Sequence, residues 1–274
     1  MNLYDNHNHS QFSFDGKRTS VEKSAIAARE HGLAGLCFTD HCDFFVPPMK
    51  AAYEHLMKEE FDVASQQAEI DAVSARVEGI RIFKGVEIGM YCKCHEVIRR
   101  LLSTWHFDQV IASVHYIDDT DPFYGGYYED KDWKQAYGHY LETIYREMTW
   151  MGDFDVLGHY DYVARYAPYP QASILYRDFS GIIDSILQYL AHEGKALEIN
   201  TKTYQPYKGR TPVLDRNILL RFRELGGEFI SLGSDSHDPE RTGENFPYYA
   251  EFVRSLGFRY LTHFESRRPV PLPL

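Results

Sequence analysis

Hydrophobic positions along the chain alternate between two patterns. Stretches with apolar residues three and four positions apart predict amphipathic helices, and most of these stretches end at a glycine that lets the chain reverse. A short apolar run, typical of a buried strand, follows each stretch. The helices are predicted at about residues 19–31, 50–78, 97–105, 133–151, 182–193 and 212–225 and before Gly257, and the strands in LYDNH, LAGLCFTDH, IRIFKGVEIG, DQVIASVH, FDVLGHYD, ALEINTKT and FISLGSDSH.

The alternation of strands and helices predicts the fold class. Strands separated by helices pair in parallel, with the helix as the crossover connection. Seven such strands, plus an eighth terminal segment FRYLTHF, are expected to close into an α/β barrel. Thr19 and Glu22 have the spacing of a capping box, and Pro212 is predicted to start a helix. No linker or change of composition divides the chain, so residues 1–274 are expected to form one domain.

The composition narrows the classes of partner. The chain has 274 residues and a formal net charge of −11, which disfavours an extended nucleic-acid surface but permits a small anionic substrate beside a local cation. No apolar run reaches the roughly 18 residues of a membrane span, and the first residues lack the pattern of a signal peptide. The four cysteines contain no C-x-x-C pair. We therefore expect a cytoplasmic protein with reduced thiols and no membrane partner.

Ionisable residues stand at the ends of the predicted strands. The first strand ends in His7 and His9, which share one face of the strand, although such a pair alone is also typical of a polar turn. In a parallel barrel the carboxyl ends of all strands lie on one rim, so residues from every strand are expected to meet there. Clustered imidazoles need partners, and metal ions supply them. The pattern predicts a multinuclear metal site that includes His7, His9, His41, Glu87, His115, His159, Asp235 and His237.

Six motifs at these positions resemble the ordered signature of the PHP (polymerase and histidinol phosphatase) family. They are His7-x-His9, Thr39-Asp40-His41, Gly85-Val86-Glu87, Ser113-Val114-His115, Gly158-His159 and Ser234-Asp235-x-His237. The resemblance covers nearly the whole chain and implies a distorted (β/α)7 barrel with three metal ions. Carried over by position, the first ion has the ligands His7, His9, Glu87 and Asp235, the second has Glu87, His115 and His159, and the third has Asp15, His41 and His237.

Asp15 departs from the family pattern, because many members carry a histidine at this position. The third ion is therefore expected to bind more weakly or to be a harder metal. Imidazole and carboxylate ligands accept zinc, iron and manganese, so the sequence leaves the identity of the three divalent ions open.

Within the family, the segments GHYDYVARY and LEINTKT, with the aromatic loop after His115, look most like the histidinol-phosphate phosphatase branch. That branch removes phosphate from L-histidinol phosphate in histidine biosynthesis, which implies a phosphoric monoester hydrolase with a small phosphorylated substrate. We hypothesise that a hydroxide bridging the first two metals attacks phosphorus in line, while the third metal helps to hold the phosphate oxygens.

Further candidate residues follow the same strand ends. Arg165 and Lys202 are predicted to bind the phosphate. Asp43 and Asp161 are candidates for holding the ammonium or imidazole group of the substrate or for protonating the leaving alkoxide, and Asp40 for orienting a ligand imidazole. For each of these charged residues an ordinary solvated charge is the alternative. The long loop YIDDTDPFYGGYYEDKD is a candidate lid over the substrate ring through Phe123, Tyr124, Tyr127 and Tyr128.

Three other functions remain open at this point. A nuclease or nucleotide phosphatase of the same family would use the same metals, and the net charge of −11 argues only against long nucleic acids. A metal-dependent amidohydrolase also begins with an HxH pair, but it typically bridges its metals with a carbamylated lysine, where this chain offers Glu87. A non-catalytic scaffold is expected to lose metal ligands, whereas only Asp15 departs from the pattern.

Overall fold

The computed structural model describes residues 2–44 and 62–274. Strands and helices alternate over most of this length. The strands are β1 (Tyr4–Asn8), β2 (Gly35–Phe38), β3 (His41–Cys42), β4 (Arg81–Gly89), β5 (Gln109–Ser113), β6 (Val156–Leu157), β7 (Ala196–Asn200), β8 (Ile230–Gly233), β9 (Tyr260–Glu265) and β10 (Arg268–Pro273). The helices are α1 (Val21–Glu30), α2 (Val63–Ser74), α3 (His95–Thr104), α4 (Trp133–Met151), α5 (Tyr162–Tyr166), α6 (Tyr176–His192), α7 (Arg216–Glu224) and α8 (Phe246–Ser255).

Seven parallel strands form the wall of a nearly closed barrel, in the order β1, β2, β4, β5, β6, β7, β8. Backbone hydrogen bonds join the two ends of this series, because His9 N donates to Ser236 O at 2.9 Å and Asp235 N donates to His7 O at 2.8 Å. The short β3 pairs with β4 beyond the end of β2, so the second wall strand is interrupted at Thr39 and Asp40. This architecture confirms the predicted distorted (β/α)7 barrel.

The terminal segment FRYLTHF was predicted as an eighth segment of the strand series, and the structure places it outside the barrel wall. It forms β9, which pairs antiparallel with β10. Phe264 of this hairpin packs in one apolar cluster with Ile111, Val156 and Ala196 from three barrel strands. The hairpin therefore closes the amino-terminal end of the barrel, opposite the rim where the strands end.

Two predicted helix starts were wrong because side chains other than the expected ones satisfy the first N–H groups. Ser20, and not Thr19, caps α1 by accepting from Lys23 N, while the Thr19 hydroxyl is bonded to Ser24. Asp215 caps α7 by accepting from Asn217 N, so this helix begins four residues after Pro212.

Other sequence expectations were incomplete. Of the helix predicted at about 50–78, residues 50–61 lie outside the described part of the chain, and α2 covers residues within the remainder. The short helix α5 and the division between β2 and β3 were not predicted. In the described ranges, no helix has both the length and the apolar character needed to cross a membrane. Cys37, Cys92 and Cys94 are free thiols, as predicted.

Candidate metal centre

Glu87, on β4, lies at the centre of the predicted ligand cluster. Parallel pairing sets this position, because Glu87 pairs with His41 on one side and with Ile111 on the other. The Glu87 side chain is fully buried, and its Oε2 atom lies 2.8 Å from His41 Nδ1, 3.3 Å from His7 Nε2 and 3.6 Å from His9 Nε2. Three imidazoles from two strand ends therefore meet one carboxylate oxygen.

The second oxygen of Glu87 faces two other strand ends. Oε1 lies 2.8 Å from His159 Nε2 and 3.3 Å from His115 Nε2, and these two imidazole nitrogens are 3.3 Å apart. Ser113 also donates to Oε1 at 2.6 Å. Glu87 thus lies between two groups of histidines, which is the arrangement that the prediction of a bridging glutamate requires.

A third group of imidazoles lies beside the first. His9, His41 and His237 each offer a ring nitrogen, and the three nitrogens lie within 4.8 Å of one another. Asp15 is at the outer edge of this group, with Oδ2 3.0 Å from His237 Nε2 and Oδ1 3.9 Å from His41 Nε2. The structure therefore brings together the three residues predicted for the third ion, and it adds His9 as a close neighbour.

Asp235 and Lys202 meet at the open side of the cluster. Asp235 Oδ1 lies 3.3 Å from His9 Nε2 and 3.0 Å from Lys202 Nζ. Lys202 Nζ is also 3.4 Å from His237 Nδ1. The predicted ligand and the predicted phosphate-binding cation are thus in direct contact, so Lys202 is positioned by Asp235 and His237 of the predicted ligand cluster.

Several ligand atoms of the cluster are buried without a hydrogen bond of acceptable geometry. They are His7 Nε2, His9 Nε2, His41 Nδ1, Glu87 Oε2 and His237 Nε2. Buried polar atoms normally have partners, because leaving them unpaired costs about 1–3 kcal/mol each. Imidazole nitrogens and carboxylate oxygens converging in this way are the donor set that zinc, iron and manganese accept. The residues present therefore fit bound divalent ions.

The electrostatics of the cluster lead to the same conclusion. Burial alone would raise the pKa of the Glu87 carboxyl, yet His7, His115 and His41 hold it well below its usual range. For His9, burial lowers the pKa well below its ordinary value, and neighbouring His237 lowers it further. For His7 and His115, burial opposes protonation, yet the neighbouring carboxylates raise the pKa of each ring well above its ordinary value. The buried carboxylates thus need positive charge close by, and a bound divalent cation would supply it in place of protonated imidazoles.

A residue that the sequence interpretation missed, Glu198 on β7, orients two of the predicted ligands. Its Oε1 atom lies 2.6 Å from His7 Nδ1, and its Oε2 atom accepts from His159 N at 2.7 Å. The signal was present in the sequence, because Glu198 is a lone acid in the apolar strand ALEIN. Inside a barrel such an acid needs a polar partner.

Asp40 and Asp43 both lie beside the ligand cluster, Asp40 through Ser13 and Asp43 directly. Ser10, Ser13 and Gln66 all donate to the buried carboxylate of Asp40. It acts on His9 through Ser13, whose hydroxyl lies 2.9 Å from His9 Nδ1.

Asp43, a candidate for substrate binding, lies 3.0 Å from His115 Nδ1 through Oδ1. It also lies close enough to His41 and His115 to join a ligand group with them. In this structure the contacts of Asp43 are with the cluster, and its role toward substrate stays a prediction.

The remaining candidates lie around α5. The Nε and Nη1 atoms of Arg165 are buried and have no hydrogen-bond partner. Asp161 is buried beside His159, and burial, as the main cause, raises its pKa to about 6. Of the predicted lid residues, Tyr127 and Tyr128 are instead core residues, because their hydroxyls donate to the carbonyls of Ala136 and Val163.

Comparison with known proteins agrees with the geometry. The model of the PHP domain family matches residues 5–202. A histidinol-phosphatase of Lactococcus lactis is 34% identical over 98% of this chain and 96% of its own length, and a probable histidinol-phosphatase of Clostridium acetobutylicum is 30% identical over 97% and 98%. A crystal structure of the histidinol phosphate phosphatase from Lactococcus lactis, complexed with zinc, L-histidinol and phosphate, has a TM-score of 0.88 at 32% identity and covers 98% of each chain. The chain therefore belongs to the PHP domain family, in its histidinol-phosphatase branch.

Proposed function

We propose that this protein hydrolyses L-histidinol phosphate to L-histidinol and phosphate. The observation that carries the proposal is the likeness, over nearly the full chain, to a histidinol phosphate phosphatase whose crystal structure holds zinc, L-histidinol and phosphate. The Glu87-centred cluster supplies the matching chemistry, because imidazole and carboxylate ligands of this kind bind the ions that phosphomonoester hydrolysis uses.

We infer that the cluster holds three divalent ions, of zinc, iron or manganese. Bound there, such ions polarise phosphoryl oxygens and activate water as a nucleophile. The ligand sets are those of the sequence prediction: His7, His9, Glu87 and Asp235 for the first ion, Glu87, His115 and His159 for the second, and Asp15, His41 and His237 for the third.

The cationic side chains beside the cluster are proposed to bind the phosphate. The Arg165 guanidinium has buried N–H groups without an acceptor, and a phosphate provides two oxygens in a geometry that a guanidinium matches. Lys202, held by Asp235, adds a second positive charge. These two residues orient the ester and neutralise part of its charge.

Asp161 is proposed as the proton donor to the leaving alkoxide. Its buried carboxyl has a pKa raised to about 6, so it holds a proton more readily near neutral pH than an exposed aspartate does. Its Oδ1 atom is buried without a hydrogen-bond partner. Asp40 is not suited to this role, because Ser10, Ser13 and Gln66 occupy its oxygens.

We also propose that the enzyme works in the cytoplasm. The thiols of Cys37, Cys92 and Cys94 are free. Free thiols are typical of proteins in reducing compartments.

The proposal is tested by phosphate release from histidinol phosphate, a mononucleotide and an aryl phosphate, each with and without a chelator. We expect efficient turnover of histidinol phosphate, loss of activity after chelation and recovery when metal is added back. A mononucleotide hydrolysed with equal kcat/KM would point instead to a nucleotide phosphatase. If no ester is hydrolysed by the metal-loaded protein, the chain is a scaffold and the proposal is wrong.

A further inference from the structure

Arg165 and Tyr166 are consecutive residues at the end of α5, and the polar groups of both lack partners. Two N–H groups of Arg165, on Nε and Nη1, are buried without a partner. The Tyr166 hydroxyl makes no hydrogen bond within residues 2–44 and 62–274. Two nearby tyrosine hydroxyls do have partners: Tyr162 donates to Asp121 Oδ1 at 2.9 Å, and Tyr169 donates to Lys131 O at 2.7 Å. The N–H groups of Arg165 and the hydroxyl of Tyr166 are therefore available to a ligand.

The Tyr166 ring is held in place by three aromatic neighbours. Its centroid lies 4.9 Å from the Tyr162 ring, 5.2 Å from the Phe123 ring and 5.2 Å from the Tyr207 ring, and all three contacts are edge-to-face. Edge-to-face contacts at these distances are favourable and directional. The position of the Tyr166 hydroxyl is consequently fixed before any ligand binds.

The same rings hold the Arg165 guanidinium. Its central carbon lies 5.7 Å from the centroid of the Tyr166 ring and 5.4 Å from that of the Tyr207 ring. Both distances are within the range of cation–π attraction. A guanidinium held by aromatic rings keeps its N–H groups free for an anion, whereas a carboxylate partner would occupy them.

The hydroxyl of Tyr166 remains a hydrogen-bond donor at neutral pH. Burial raises the pKa of Tyr166 above its ordinary value, although the positive charges of Lys202 and Arg165 oppose the rise. The Arg165 guanidinium lies against the ring that carries this hydroxyl. A neutral phenol beside a guanidinium is suited to donate to an anion that the guanidinium binds.

We propose that Tyr166 is a further substrate-binding residue, whose ring positions the Arg165 guanidinium and whose hydroxyl donates to the same phosphate group. The proposal rests on the proposed function only because it takes the phosphate group of a phosphomonoester as the ligand. The support by the ring and the hydrogen bond from the hydroxyl are separable by mutation, because Tyr166→Phe keeps the ring and removes the hydroxyl, whereas Tyr166→Leu removes both.

The test is calorimetric titration of inorganic phosphate into the metal-loaded protein. Loss of one hydrogen bond to a charged group is expected to raise the Kd of Tyr166→Phe about tenfold. Tyr166→Leu is expected to raise the Kd further, because the guanidinium also loses its support. In an Arg165→Ala background, the difference between the phenylalanine and leucine variants should disappear, since the supported group is gone.

Tyr145→Phe is the matched control, because it removes a hydroxyl from the exposed side of α4, and its Kd should equal that of the wild type. Metal content and unfolding temperature are measured for every variant. A Kd for Tyr166→Phe less than threefold above the wild type would overturn the hydroxyl role, and equal values for the phenylalanine and leucine variants would overturn the ring role. Because no turnover is required, failure of histidinol phosphate hydrolysis would count against the proposed function alone.

Discussion

The Nδ1 atom of His7 lies 2.6 Å from the Oε1 atom of Glu198, and both side chains are fully enclosed. The contact assigns the Nδ1 proton to the bond with Glu198 and leaves His7 Nε2 to face Glu87. The same carboxylate accepts from His159 N, so one residue orients ligands from two strands. Gly233 provides the necessary room, because a Cβ atom there would overlap Glu198 Oε1.

Glu198→Gln should weaken metal binding without unfolding the barrel. The amide keeps the shape of the side chain but lacks the negative charge that holds His7 as a proton donor, and such changes around a ligand typically cost about 10–100-fold in metal affinity. Competition with a chelator of known affinity measures the effect. Glu96→Gln, on the exposed face of α3, serves as the control and should bind metal normally. Unchanged affinity in Glu198→Gln would show that His7 needs no such support.

Arg165→Ala should lower kcat/KM for histidinol phosphate at least about tenfold, because a guanidinium bound to two phosphate oxygens contributes more than a single neutral hydrogen bond. Metal content should stay at the wild-type level, since no ligand is removed. Steady-state kinetics together with metal analysis check both points. Arg99→Ala removes an exposed arginine from α3 and should leave the kinetics unchanged. Near-normal kinetics in Arg165→Ala would remove this residue from the site.

Asp15→Asn should release the third ion selectively. Asp15 contacts His237 and His41 at the outer edge of the cluster, whereas the ligands around Glu87 are deeply buried. We expect the metal content to fall from three ions per chain to two, as measured by elemental analysis after dialysis. Asp71→Asn, an exposed aspartate on α2, controls for the loss of a surface charge. A variant that keeps three ions, or that loses all of them, would contradict the assignment of Asp15 to one separate site.

His263 should make the stability of the fold depend on pH. The ring stacks on Tyr4 at 4.2 Å in the hairpin that closes the barrel, and burial lowers its pKa from 6.5 to about 4. Between these values the unfolded chain binds the proton more readily. The free energy of unfolding should therefore fall by up to about 3 kcal/mol as the pH drops from 6.5 toward 4, and this contribution should level off below 4.

Urea unfolding of chelator-treated wild type and His263→Phe checks this prediction, because chelation removes the separate effect of acid on metal binding. The variant should lack that part of the pH dependence. Substitution of His192, which is exposed, should leave the pH dependence as in the wild type. Parallel pH curves for wild type and His263→Phe would mean that His263 does not carry the effect.

The predicted ligands were identifiable from the sequence because a parallel barrel places every strand end on one rim. The positions of His115 and Asp235 relative to Glu87 follow from that rule and from the order of the strands. The rule states which residues share a rim, but it carries no information about the distances between their side chains. It therefore gave no basis for the contact between Lys202 and Asp235.

Residues that act through other residues were harder to predict. Asp40 stands beside His41 in the sequence, yet its carboxylate is bonded to Ser10, Ser13 and Gln66. Gln66 comes from α2, and no local pattern links that helix to the strand end. Likewise, Tyr127 and Tyr128 belong to an aromatic loop that suggests a lid, and only the packing of α4 and α5 makes them core residues.

The sequence by itself determined the alternation of strands and helices, the family and the set of ionisable residues at the rim, because each depends on periodicity or on motifs of a few adjacent residues. Only the tertiary structure decided that Glu198 supports His7, that the last strands close the opposite end of the barrel, and that Arg165 and Tyr166 keep unpaired polar groups beside the cluster. These features depend on contacts between segments that are distant along the chain, and such contacts are fixed when the barrel closes.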